Sequence, residues 1–208
     1  MNPAAPILQT TGLVKRFGGL LATDHVSIDV VAGEIHALIG PNGAGKTTLI
    51  SLLSGEQRPD AGEIALTGSA VTRLDVARRA RAGLGRSYQI TQVLMEFTAL
   101  DNVLVGVLSR SRETGAWQPL RAVAAHVDAA RQYLEQVGLG HSADVPVVEL
   151  LAGLKSRYPM LLVEHDMDAV FTLADRISVL VYGKVIATGK PLAIRADAAV
   201  KAAYLGDE

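Results

Sequence analysis

The 208-residue sequence contains no cysteine. That excludes disulfides, thiolate metal sites and cysteine nucleophiles. It also lacks a charge surplus: 20 Lys and Arg face 21 Asp and Glu, a net charge of −1. A protein that holds nucleic acid by bulk charge is therefore not expected, although a local basic patch stays possible. No run approaches the roughly 18 uninterrupted apolar residues that a membrane-spanning helix needs. The first residues lack a basic stretch followed by an apolar core, so no secretory signal is expected. What is present is ordinary globular composition, 49% hydrophobic and 20% charged. Glycine is abundant, at 20 residues, above the usual share of roughly 7%. The length suits one α/β domain, alone or with a small helical subdomain. These features together predict a soluble intracellular α/β protein.

The chain alternates short apolar runs with helical patterns. Residues 7–11, 26–30 and 35–39 read as strands, the last nearly all apolar and bounded by glycine. Residues 47–54 read as helix and 62–68 as a further strand. An Ala/Arg-rich helix is expected at 74–82. The clearest helical spacing lies at 99–108 and 120–137, followed by a short helix at 149–154. Residues 160–163 and 177–181 are apolar runs of strand length, separated by a helix near 167–174. Residues 185–187 pair as a hairpin strand across Tyr182-Gly183-Lys184, and the tail at 191–204 reads as Ala-rich helix. Strands alternating with helices predict a mostly parallel sheet covered by helices.

One motif carries chemistry. Gly40-Pro41-Asn42-Gly43-Ala44-Gly45-Lys46-Thr47 fits G-x-x-x-x-G-K-[ST], between an apolar strand and a helix, which is the context this phosphate-binding loop requires. Glycines let backbone N–H groups turn inward and approach an anion. The N-terminus of the next helix adds its dipole. Lys46 would contact the β- and γ-phosphates, and Thr47 would offer a hydroxyl to Mg²⁺. This is a P-loop nucleotide site.

With Thr48 the loop reads Gly-Pro-Asn-Gly-Ala-Gly-Lys-Thr-Thr, and here the chain resembles the ATP-binding subunits of ABC transporters. Leu13-Val14-Lys15-Arg16-Phe17-Gly18-Gly19 is similar to the family segment whose aromatic stacks on adenine, which marks Phe17. Arg86-Ser87-Tyr88-Gln89 resembles the family's Q-loop, which makes Gln89 a sensor of Mg²⁺ and attacking water. Val163-Glu164-His165-Asp166-Met167, with Leu173-Ala174-Asp175-Arg176, resembles the switch region and places His165 at the γ-phosphate. The other histidines, His25, His36, His126 and His141, show no ligand spacing. Gly85 to Gln92 and the ending Ile194-Arg195-Ala196-Asp197 through Ala203-Tyr204-Leu205-Gly206 are similar to the branched-chain amino-acid importer ATPases. The resemblance covers about residues 7–206. It implies a P-loop NTPase fold: a mostly parallel sheet with an N-terminal β-rich part and a helical subdomain at about 90–148, all within one domain. It also implies MgATP as ligand and membrane permease subunits as partners, on the cytoplasmic, inner face of the plasma membrane. A second ATPase subunit would pair head to tail. Nucleic acid is not an expected partner.

The resemblance also shows a gap. The family carries a Leu-Ser-Gly-Gly-Gln-like signature at a helix start, then a strand ending in Asp-Glu, whose Asp holds Mg²⁺ through water and whose Glu is the general base. Only 76 positions separate Gln89 from His165, and both elements are missing, about 40 residues by the family pattern. The junction falls near 143–149. Three segments imitate the lost elements. Leu53-Ser54-Gly55-Glu56-Gln57 imitates the signature but ends the P-loop's own helix. Leu151-Ala152-Gly153-Leu154-Lys155 is a degenerate version. Residues 160–163 with Glu164 imitate the catalytic strand, but match the switch strand better. Loss of the catalytic strand is expected to shorten the sheet and expose the flank of residues 160–163, an aggregation hazard.

Three functions are consistent with this pattern. The first is an ABC importer ATPase subunit in amino-acid uptake that binds MgATP and hydrolyses it poorly. The second is a non-hydrolysing nucleotide-binding regulator of a transporter. The third is a soluble ABC-type ATPase not tied to transport; the near-neutral charge and the importer-like ending disfavour it.

Overall fold

The computed structural model describes residues 5–87, 94–110, 119–155, 157–164 and 167–205. Its N-terminal third is organised on one long strand. β1 (Pro6–Phe17) pairs antiparallel with β2 (Leu20–Val26) and with β3 (Asp29–Val31). The alternation Val-Ser-Ile-Asp-Val predicted one strand at 26–30; the structure breaks it in two. The side chain of buried Thr10 is the cause. Its Oγ1 accepts a hydrogen bond from Ile28 N at 2.8 Å, and Ser27 Oγ accepts one from Gly12 N at 2.9 Å. These bonds from β1 occupy the turn's backbone and side chain, so the ladder stops there and resumes at Asp29.

β4 (Ile35–Ile39) is buried at all five positions, as a central strand covered on both faces should be. It runs into the glycine-rich loop and α1 (Lys46–Ser54). β5 (Ala61–Leu66) returns to pair antiparallel with β1, and β6 (Ser69–Ala70) extends that sheet. α2 (Val76–Arg81) begins at Asp75, whose carboxylate accepts from Arg78 N at 2.8 Å, an N-cap. Leu49, Leu52 and Leu53 of α1 share one core with Leu8, Leu13, Val26 and Ile64 of the antiparallel sheet and with Leu38 of β4. The phosphate-loop helix is thus packed between the two sheets.

The structure divides into two compact units, Met1–Ser87 with Lys155–Glu208, and Tyr88–Leu154. The second contains α3 (Ala99–Arg110), α4 (Ala124–Gln136), a 3-10 turn at Gly140–Ser142 and α5 (Val147–Leu154). Leu100 and Leu104 of α3, one turn apart, meet Ala130 and Leu134 of α4. Thr98 Oγ1 caps α3 by accepting from Asp101 N at 3.1 Å. α4 starts later than the expected residue 120. A turn closed by Ala122 N donating to Pro119 O precedes it, and Asp101 holds Arg121 of that turn at 2.7 Å.

In the first unit the chain continues through β7 (Met160–Leu162), α6 (Met167–Leu173), β8 (Arg176–Val181), β9 (Lys184–Gly189), α7 (Pro191–Ala196) and α8 (Ala198–Leu205). The second sheet has the order β7-β4-β8-β9. β4 pairs parallel with both neighbours, and β9 pairs antiparallel with β8. Among the described residues, parallel pairing is therefore confined to the strands around the phosphate loop. Ala37, Ile39, Ile177 and Val179 pack with Val170 of α6, Ile194 of α7 and Val200 of α8. The tail predicted as one helix at 191–204 is two. Asp197 is extended between them, and its carboxylate accepts from Ala199 N and Val200 N at 2.8 and 3.0 Å. That bonding caps a new helix instead of continuing the old one. Among the described residues no helix is long and apolar enough to cross a membrane.

Candidate functional site

The loop from Gly40 to Thr48 joins the buried end of β4 to the first turn of α1. Two of its glycines are imposed by close backbone approach. A Cβ on Gly40 would overlap the carbonyl oxygen of Leu180 in β8, and a Cβ on Gly45 would overlap that of Ala22 in β2. Gly45 also has φ of 103°, in the region that disfavours side chains. Ala44 is buried, and its carbonyl accepts from Gly183 N at 2.9 Å. Gly183 in turn accepts from Asp24 N at 2.8 Å. The loop is therefore clamped from behind by the β8–β9 turn and from the side by β2.

Ala22 owes its position to a β-bulge. Lys15 pairs with Thr23 and Arg16 with Leu21, so Ala22 has no opposite residue. A bulge re-aims the backbone locally, and here the extra carbonyl lies against the loop. Sequence reasoning missed Ala22, Gly183 and Leu180. They act through backbone atoms, which leave no residue-type signal.

The anion-facing end of α1 is electropositive. Its first N–H groups lack intrahelical partners, and no acidic residue occupies its first turn. Thr47 is exposed at this end, while Pro41, Thr48 and Lys46 are half-buried and Asn42 and Gly43 exposed. The Lys46 ammonium donates to the carbonyls of Gly40 and Pro41, the latter at 2.9 Å. Burial holds its pKa below the ordinary lysine value. The opposite end of α1 is closed by a cation. Arg79 is 1% exposed. Its guanidinium donates to Leu52 O at 2.6 Å and Leu53 O at 2.7 Å, and to Thr72 O and Leu74 O. A cation at the C-terminal carbonyls complements the helix dipole. The residue lies in the expected helix at 74–82, but no local pattern marks it as buried.

Phe17 ends β1 opposite Leu20. It is 45% exposed, and the hairpin's second strand reaches Gly45 through Ala22. From Leu20 to Ala22 is two strand residues, about 7 Å. The aromatic ring and the phosphate cradle thus lie on connected backbone. Gln89 and His165 lie outside the described residues. Glu164, which follows β7, is half-buried. Among the described residues no group of three or more His, Cys, Asp or Glu could hold a metal ion. Thr47 offers an exposed hydroxyl at the head of α1 that could reach a divalent cation carried by the phosphates. The nearby hydroxyl and the absence of a clashing side chain at Gly45 fit that arrangement, in which Mg²⁺ is held largely by substrate oxygens.

The signature-like segments have other work. Ser54 closes α1, and its Oγ accepts from Arg86 at 3.0 Å. Glu56 pairs with the same guanidinium at 2.6 Å, and Gly55 is the helix C-cap. Leu151 to Leu154 are the end of α5. Neither segment starts a helix. His36 is fully buried, its Nδ1 donating to Asp29 O at 2.6 Å and its Nε2 2.8 Å from Ser178 Oγ. It is a core group below the loop, on the strand that carries it.

Comparison with known proteins agrees with this geometry. Residues 23–162 match the family described as ABC transporter, and residues 184–208 match the family described as branched-chain amino acid ATP-binding cassette transporter. The chain is 33% identical to the high-affinity branched-chain amino acid transport ATP-binding protein LivG of Salmonella typhimurium, over 97% of this chain and 98% of that protein. It is 32% identical to the corresponding protein BraF of Pseudomonas aeruginosa, over 97% and 98%. These alignments run over 253 positions against 208 residues here, so at least 45 positions face no residue of this chain. The crystal structure of a nucleotide-free ATP-binding cassette from an ABC transporter superposes with a TM-score of 0.64 at 25% identity, covering 98% of this chain and all of that one. The ADP conformation of such a cassette gives 0.64 at 26%, over 98% and 100%. A P-loop fold, an intact phosphate cradle and these matches agree: the chain belongs to the ABC transporter family, as an ATP-binding cassette.

Proposed function

We propose that this chain binds MgATP as the ATP-binding subunit of a branched-chain amino-acid importer and turns it over poorly. The observation that carries the reading is the cradle itself: residues 40–48 clamped against Ala22, Leu180 and Gly183, with an uncompensated helix N-terminus behind them. Backbone N–H groups and Lys46 hold the β- and γ-phosphates. The Lys46 ammonium exchanges its two loop carbonyls for phosphate oxygens. Phe17 stacks the adenine. Thr47 and Gln89 would hold Mg²⁺, which would supply neutralisation of phosphate charge, and His165 would contact the γ-phosphate. The family resemblance supports the roles of Phe17, Gln89 and His165, as it does docking on permease subunits at the inner face of the membrane.

The weak turnover follows from the missing segment. The sequence between Gln89 and His165 contains no Asp-Glu pair and no Leu-Ser-Gly-Gly-Gln run. Loss of a general base alone costs about 10²–10⁴ in rate. The gap also supports a second reading of the same binding site, a non-hydrolysing subunit that occupies and regulates a transporter.

A MgATP titration of the purified chain tests the proposal, with Lys46→Ala as control. Ligand at 100 times Kd should stabilise the fold by about 2.7 kcal/mol, visible as a raised melting temperature that the variant lacks. Absence of a shift in the parent chain would overturn the binding site. Phosphate release at an ordinary enzymatic rate, abolished in Lys46→Ala, would overturn the weak-turnover reading while leaving the site intact.

A further inference from the structure

Phe17 does not stand alone. The Lys15 ammonium lies 5.6 Å from the centroid of its ring, within the roughly 6 Å over which a cation is attracted to an aromatic face. Residues two apart on a strand share a face, which is how β1 brings the two together. The ammonium is itself fixed, bonded to Asp60 Oδ1 at 3.0 Å. The other oxygen of Asp60 accepts from Arg16 N at 2.7 Å, and Asp60 N donates to Val14 O at 2.8 Å. Asp60 precedes β5 and bridges consecutive residues of β1. The Arg16 N–H, and then the Lys15 ammonium, hold its carboxyl below the usual carboxylate range. The Lys15 side chain is only 18% exposed, whereas Phe17 is 45% exposed. One face of the ring is therefore covered by a held cation while much of the ring stays open to solvent.

We propose that Lys15, held by Asp60, is a positioning residue for the nucleotide base: it fixes the Phe17 ring and leaves the opposite face as the stacking platform. The inference rests on the reading of Phe17 as the adenine contact and goes beyond it. A cation on one face draws electron density from the ring. The far face then favours an electron-rich partner such as a purine. An ion-paired lysine that only stabilised the hairpin would not distinguish a nucleotide from its phosphates.

That difference supplies the test. Affinities of the full chain for MgATP and for inorganic tripolyphosphate are measured for the parent, Lys15→Met, Lys15→Arg, Asp60→Asn and Phe17→Ala, with melting temperatures alongside. Lys15→Met should weaken MgATP about two- to fivefold and leave tripolyphosphate unchanged. Lys15→Arg should retain most of the ATP affinity. Asp60→Asn, which loosens the ammonium without removing it, should give a smaller loss in the same direction and keeps the test open if Lys15→Met fails to fold. Phe17→Ala should weaken MgATP and spare tripolyphosphate. Equal losses for both ligands in Lys15→Met, or no loss in either, would overturn the role of Lys15 while a selective Phe17→Ala effect leaves the adenine contact standing. If Phe17→Ala spares MgATP, the adenine reading fails and the role of Lys15 falls with it.

Discussion

β4 has two neighbours, and they differ. On one side β8 contributes six residues with its four central positions buried, and β9 extends it. On the other side β7 contributes three residues, each half-buried, and ends the sheet among the described residues. The β8 side also carries the polar stitching. Arg176 binds the Asp29 carboxylate at 2.9 Å and Glu34 at 2.7 Å, and His36 reaches across to Ser178, which meets Thr188. The phosphate loop is clamped from this side, through Leu180 and Gly183. The clamp on the phosphate loop and the thinner end of the sheet thus lie on opposite flanks of one strand.

The sharpest test of that asymmetry is a matched pair of truncations. Leu180→Ala, at a fully buried position, should cost about 3 kcal/mol, in the range for core leucines. Leu161→Ala on half-buried β7 should cost about 1 kcal/mol, because less apolar area leaves the core. Urea melts report both, and equal costs would break the comparison by showing that something covers β7.

The polar stitching gives a smaller contrast. Arg176→Met leaves Asp29 and Glu34 without their guanidinium and should cost about 2 kcal/mol, given the strength of charge-assisted bonds to partly buried carboxylates. Lys155 pairs with Asp175 at 2.8 Å just before β7, with both side chains well exposed. Lys155→Met should cost less than about 1 kcal/mol. Denaturant midpoints that rank the two variants the other way would contradict the picture.

The remaining expected effect is a pH dependence on the β8 side, bounded by a single histidine. Burial, partly opposed by the bond to Asp29 O, lowers the pKa of His36 below 6.5. The unfolded chain therefore takes up a proton that the folded chain refuses. Stability from this group is complete above pH 6.5 and declines as pH falls towards the depressed value, by at most about 1.4 kcal/mol per pH unit. Melting curves between pH 7.5 and 5.5 should show the decline, and His36→Gln should flatten it. An unchanged slope in that variant would remove His36 as its source.

Much of the first unit was legible in the chain. The apolar run at 35–39, the glycine loop and the following helix are local in sequence, and each is specified by residue types within a few positions. The shortening was legible too, because the resemblance gives the 76 positions from Gln89 to His165 their meaning, and the alignments with relatives run over more positions than this chain has. The split of 26–30 was not legible, since alternation continues through it and the deciding contact comes from Thr10. Asp197 could have been read as a cap within the tail, yet its Ala-rich neighbours favour continuation by propensity alone.

The sequence by itself determined the phosphate loop, the order of elements around it and the shortened spacing that follows Gln89, because these depend on local residue chemistry and on spacing. Only the tertiary structure decided why Gly45 tolerates no side chain, what closes the far end of α1 and what lies against Phe17. Those answers involve a bulged Ala22, an Arg79 that reaches back to Leu52, and an Asp60 that grips Lys15 from 45 positions away. Contacts of that kind arise when folding brings backbone carbonyls and charges together from distant segments, and no periodicity in the chain announces them.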